Sequence, residues 1–242
     1  MVNYVRDTTG RFQQRPHYKP EEIDHECERV INGFLKNRYG EIKYPISTED
    51  LKTLIEQDTS DLDVYADLSC YGSDVEGVTE FRRGKKPNVK ISATLTEDER
   101  RENRLRTTLT HEYGHVHFHS YLWEVEPPSV DLLKQQPNRD KQICKRETII
   151  DASQSDWMEW QAGYACGAIL MPRSAVMKVC RLHVEARGIY GAIALGTTDA
   201  QALIDQVTIE FKVSEDAARI RLLKLNLLTT ATPNRSLFDC NS

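Results

Sequence analysis

No two of the six cysteines, Cys27, Cys70, Cys144, Cys166, Cys180 and Cys240, form a C-x-x-C pair. A cysteine zinc site and a dithiol redox motif are therefore not expected, and reduced thiols in a cytoplasmic protein are. No apolar run approaches the roughly 20 residues a helix needs to cross a bilayer. The first residues lack the hydrophobic segment of a signal peptide. A strong positive charge is missing as well: 32 Lys and Arg against 37 Asp and Glu leave −5, so no global attraction to nucleic acid or membrane operates. With 39% hydrophobic residues, the 242-residue chain can still bury one sizeable core.

Against this plain background one stretch stands out, His111-Glu112-Tyr113-Gly114-His115, which reads H-E-x-x-H. The run before it, from Asp98 to Thr110, is rich in helix formers. On a helix, residues four apart lie one turn above the other on one face. His111 and His115 can then bind one metal ion from a rigid support. Glu112 is rotated by about 100° from His111 and stands beside the ion, where it can take a proton from a water. A catalytic zinc usually has three protein ligands, so a third is needed from another element. Glu159 is the candidate, in the stretch Trp157 to Pro172, which reads as a second helix ended by a proline. At helical spacing Glu159, Gly163, Cys166 and Leu170 share a face. The small Gly163 and Cys166 there, with Gly114 on the first helix, predict close approach of the two backbones. A mid-helix glycine otherwise costs roughly 1 kcal/mol relative to alanine.

His111-Glu-Tyr-Gly-His115, followed by Glu159-Trp-Gln-Ala162 and Ile169-Leu-Met-Pro172, resembles the ImmA/IrrE family of metallopeptidases. That family pairs an H-E-x-G-H helix with a later helix of the form E-x-x-A-N-x-F-A-x-x-L-L-M-P. The resemblance spans roughly residues 60 to 225. It implies His111, His115 and Glu159 as ligands of one Zn2+ and Glu112 as the catalytic base. It also implies cleavage of a repressor or other regulatory protein. Gly163 stands where the family commonly has Asn, and Tyr164-Ala165 replaces x-Phe. The stretch between His115 and Glu159 is also longer than expected.

In chain order, residues 1–20 carry Arg6, Arg11, Arg15 and Lys19 and read as a mobile basic arm. A helix is predicted from Pro20 to about Arg38, with Ile23, Cys27, Val30, Ile31 and Phe34 on its buried side and Gly40 at its end. Ser47 or Thr48 caps a second, which buries Leu51, Leu54 and Ile55. Residues 62–92 suggest two or three strands with a turn near Arg83-Gly84. An edge strand beside the zinc helix could hold a substrate backbone as an added strand, or the sheet could be an ordinary one. Thr96-Glu-Asp-Glu99 has the capping-box pattern and is expected to start the zinc helix, which runs to about His119. His117 should face away, and His119 is a candidate for a supporting or oxyanion-stabilising role. Residues 124–156 read as a long excursion with Cys144 in it, either an idle thiol or a fourth ligand closing the site.

After Pro172, Ser174 can cap a helix carrying Val176, Met177, Cys180 and Leu182, before a loop from Gly188 to Gly196. Thr198 can cap the next, with Ala202, Leu203, Val207 and Ile209 buried, and Ser214 a last one. Helix, turn and helix is a DNA-binding layout, and Arg219, Arg221 and Lys224 make the last helix basic. The tail from 229 to 242 reads as disordered. The fold expected is therefore α+β: a mainly helical, zincin-like metallopeptidase domain over 21–228 with a small sheet. It comprises N-terminal helices at 21–60, a zinc-site core at 61–172 and C-terminal helices at 173–228. The function expected is a zinc endopeptidase acting on a regulator. The alternative is a non-proteolytic zinc module that binds a protein regulator or DNA; no membrane partner is expected.

Overall fold

The computed structural model describes residues 2–125, 141–145 and 156–230, with backbone alone at 125 and 141–145. Contacts divide the chain between Pro172 and Arg173 into two compact units. Both helices and small sheets are present, with helix predominating. Among the described residues no helix is long and apolar enough to cross a membrane.

The first unit opens on an antiparallel hairpin, β1 (Asn3–Arg6) with β2 (Gln14–His17), in place of the mobile arm its composition suggests. Tertiary anchors hold this polar segment. The Asp7 carboxylate accepts from the backbone N–H groups of Thr9, Arg11 and Phe12, which fixes the turn. It also accepts from Trp157 Nε1 at 3.2 Å. Phe12 is buried in a cluster with Phe81, Leu122, Trp123, Trp157 and Met158, and Arg15 lies 5.7 Å from the Trp157 ring. The two basic residues Arg11 and Arg15 thus cover the core: Arg11 reaches Met158 Sδ at 2.8 Å.

Helix α1 (Pro20–Tyr39) follows the predicted stripe closely, with Ile23, Cys27, Ile31, Phe34 and Leu35 buried. Gly40 closes it in the left-handed region, at φ 78°. Ser47 caps α2 (Thr48–Asp58) by accepting from Asp50 N, and Leu51, Leu54 and Ile55 are buried. Strands β3 (Asp61–Ala66), β4 (Val75–Arg82) and β5 (Lys85–Ser92) come next. With β6 (Lys141–Lys145) they form one sheet in the order β3-β5-β4-β6. The β3–β5 pair is parallel and the other two are antiparallel.

The zinc-motif helix begins later than its sequence suggests. Thr96 ends a short helix, α3 (Ala93–Thr96), and its hydroxyl donates to Val64 O instead of capping the zinc-motif helix. A 3-10 turn over Glu99–Arg101, capped by Asp98, then leads into α4 (Glu102–His119). After α5 (Leu122–Val125), the chain re-enters at β6 and at α6 (Trp157–Leu170). Asp156 caps α6, which ends just before Pro172, as predicted. Most of the excursion over 124–156, and the tail beyond 230, lie outside the described residues.

The second unit holds α7 (Arg173–Arg187), α8 (Thr198–Phe211) and α9 (Glu215–Lys224). It also has a two-residue parallel pairing of β7 (Ile193–Ala194) with β8 (Leu228–Thr229), inside and beyond the predicted loop. Thr197, one residue before the expected Thr198, caps α8, and Ser214 caps α9. Met177, Leu182 and Ile209 are exposed rather than buried, so their helices are stabilised by a narrower stripe that includes Val176, Cys180, Leu203 and Val207. Arg221 is buried and Arg219 pairs with Asp216 at 3.0 Å, so two of the three basic residues of α9 do not form a free cationic face.

Candidate metal centre

Helices α4 and α6 pack against each other, and they come close at Gly114. A Cβ there would stand 2.9 Å from Ala162 Cα and 3.1 Å from its carbonyl oxygen. Ala162, not the predicted Gly163, therefore faces the glycine. One turn away, Cys166 fills the same seam. Its Sγ lies 3.1 Å from Thr110 Oγ1 and donates to Thr107 O at 3.4 Å.

This close seam brings Glu159, in the first turn of α6, to the two histidines of α4. His111 Nε2 and His115 Nε2 are 3.1 Å apart. Glu159 Oε2 lies 3.0 Å from His111 Nε2, and Oε1 lies 3.2 Å from His115 Nε2. All three residues are buried. The group His111, His115 and Glu159 could hold a metal ion. A tetrahedron of ligands at about 2.0–2.1 Å from its centre has edges of about 3.3 Å, close to these separations. Two imidazole nitrogens and one carboxylate are also the donor set that zinc accepts.

Glu112 stands apart from this trio, against β4. Thr79 Oγ1 donates to Glu112 Oε2 at 2.5 Å. The alternation of a strand puts Gly77 on the same side as Thr79, and a Cβ at Gly77 would come within 2.9 Å of Glu112 Cδ. A side chain at 77 would therefore move the Glu112 carboxylate from this place. Among the described residues Glu112 Oε1 has no hydrogen-bond partner, although it is fully buried. An orphaned carboxylate oxygen costs about 1–3 kcal/mol or more, so it calls for a water or a proton.

The two carboxyl groups are driven in opposite directions. Burial raises the Glu112 pKa above the ordinary carboxylate value, opposed in part by His115, His111 and Thr79. Burial acts on Glu159 too, but His115 and His111 outweigh it and hold that carboxyl well below the usual range. Glu159 is thus held as an anion, while burial favours the protonated form of Glu112. Burial also holds His119 well below the ordinary histidine value, as a neutral imidazole.

The structure brings together His111, Glu112, His115, Glu159 and, beside His115, His119. His117 is only partly turned away: it reaches Glu26 of α1 at 2.8 Å. For Cys144 the backbone alone is described, paired with Gly77 across the sheet. Because β6 takes the second side of β4, the strand beside Glu112 has no open edge; the outer strands are β3 and β6. Gly77, Thr79 and Gln161 are parts of the site that the sequence does not single out. Strand alternation alone could have paired Gly77 with Thr79, but nothing in the sequence says which helix they face. No protein-family model and no curated protein matches this chain.

Proposed function

We propose that the chain is a zinc-dependent endopeptidase of zincin-like architecture that cleaves a regulatory protein. The observation that carries the reading is Glu112: a buried carboxylate with one oxygen held by Thr79 and the other without a partner, beside a His-His-Glu group. A purely structural metal would not need it. His111, His115 and Glu159 would hold the ion. Bound zinc supplies Lewis-acid chemistry, acidifying a water and drawing charge from an acyl oxygen. Glu112 Oε1 takes the proton of the attacking water while Thr79 keeps Oε2 in place. Its raised pKa lets the same carboxyl carry that proton to the departing amine. The burial of Glu112 and of all three ligands limits access by other waters. The likeness of the two motifs to the ImmA/IrrE pattern supports a repressor-like protein as the substrate.

The test is Glu112→Gln, assayed against purified regulators and a mixed peptide library. Zinc content should stay at the wild-type level while cleavage falls by about 10²–10⁴-fold, the range of a general base. Undiminished cleavage in that variant would sink the mechanism.

A further inference from the structure

A line of buried hydrogen bonds runs from the Nδ1 side of His115 to the N-terminal hairpin. His115 Nδ1 lies 3.1 Å from His119 Nδ1. His119 Nε2 lies 3.0 Å from Gln161 Oε1. Gln161 Nε2 donates to Pro16 O of β2 at 3.0 Å. His115, His119 and Gln161 are all buried, with 0%, 0% and 1% of their surface exposed.

The donor and acceptor roles along this line follow from its far end. A backbone carbonyl can only accept, so the Gln161 group facing Pro16 must be the amide NH2. The opposite end of that amide is then a carbonyl oxygen, which needs a donor, and His119 Nε2 must carry a hydrogen. A neutral imidazole carries one hydrogen only. His119 Nδ1 is therefore a bare lone pair, and it accepts from His115 Nδ1–H. In its neutral form His115 then carries no hydrogen on Nε2, the nitrogen that faces His111 Nε2 and Glu159. This is the one neutral tautomer in which His115 can bind a metal through Nε2.

We infer that His119 and Gln161 are positioning residues that use the Pro16 carbonyl to lock His115 in its metal-binding tautomer and ring orientation. The positioning role rests on the metal reading of the site; the tautomer does not. The line also gives the N-terminal hairpin a part in the centre, since Pro16 supplies the carbonyl that sets every direction along it. Hydrogen-bond partners of this kind on a ligand histidine are typically worth 10–100-fold in metal affinity.

The experiment has two arms on the full chain. In the metal-free protein, long-range ¹⁵N–¹H spectra of the histidine side chains report which nitrogen carries the hydrogen. Hydrogen on His115 Nδ1 and on His119 Nε2 is the expected result; a His115 that carries its hydrogen on Nε2 and none on Nδ1 would overturn the inference. In the second arm zinc affinity is measured by chelator competition for Gln161→Leu and Gln161→Glu. The leucine variant should bind 10–100-fold more weakly. The glutamate variant, which keeps an acceptor for His119 Nε2 but loses the donor to Pro16 O, should restore part of the loss. Equal affinity in the wild type and Gln161→Leu would refute the positioning role while leaving the metal centre standing. Absence of zinc binding in the wild type would end the metal reading, and the spectra would still decide the tautomer.

Discussion

Helices α1 and α4 are of similar length, 20 and 18 residues, and lie in the same unit, yet they are built on opposite plans. The first buries an apolar stripe with one carboxylate, Asp24, which accepts from the Tyr164 hydroxyl at 3.0 Å, and leaves its other side to water. The second buries Arg106, Thr107, Thr108, Thr110, His111, Glu112, His115 and His119, which point to every side. It can do so because α2, α6 and β4 pack around it. Burying polar groups is costly unless each finds a partner, and most do: Arg106 donates to Ile46 O and Thr110 to Arg106 O. Packing and one hydrogen-bonded carboxylate account for α1. Packing does not account for a row of buried imidazoles and an orphaned carboxylate oxygen, and the difference locates the chemistry.

Substitutions can drive the two plans apart. The largest effect on zinc binding should come from His111→Ala, which removes a proposed ligand. Zinc at a hundredfold excess over its Kd should raise the wild type's unfolding free energy by about 2.7 kcal/mol and the variant's by nothing measurable, as thermal melts with and without zinc would show. Ile31→Ala on α1, at 0% exposure, should cost about 2–5 kcal/mol in urea titration, while its folded fraction binds zinc as the wild type does. A change in affinity there would erase the division between packing and chemistry. Gly114→Ala should gain about 1 kcal/mol of helix propensity but lose about 1–3 kcal/mol to overlap with the Ala162 backbone. A lower urea midpoint is expected, with weaker zinc binding as Glu159 is pushed away.

The smallest effect concerns the polar joint between the two helices. Arg29, with His117 adding to it, lowers the Glu26 carboxyl to about 2 from 4.5. A depressed carboxylate contributes stability above its unfolded pKa and loses it as pH falls through the folded one. The contribution should be full above about 4.5 and fade towards about 2. Glu26→Gln should therefore flatten the loss of stability across that acid range and matter at neutral pH only slightly, because Arg29 is exposed. An unchanged acid profile would remove Glu26 from the joint.

The plan of α1 is legible in the sequence because its stripe repeats with the helical period and Gly40 marks its end. The H-E-x-x-H spacing and the proline after α6 are legible for the same reason, being local. What the sequence hides depends on partners far along the chain. The 3–17 hairpin looks polar until Asp7 meets Trp157 and Phe12 enters the aromatic cluster. Thr96 has capping chemistry, but Val64 O takes its hydroxyl. The face of α6 can be assigned from spacing only to within one residue, so Gly163 stands in for Ala162. Gln161, a residue without a charge or a motif of its own, gains its place only from Pro16 and His119.

Metal analysis of the purified protein beside Glu159→Ala tests the central claim most directly, because Glu159 is the proposed ligand that only the fold brings to the two histidines. About one zinc per chain in the wild type, absent from the variant, is the predicted result. Zinc retained without Glu159, or no zinc in the wild type after it is supplied, would contradict the account.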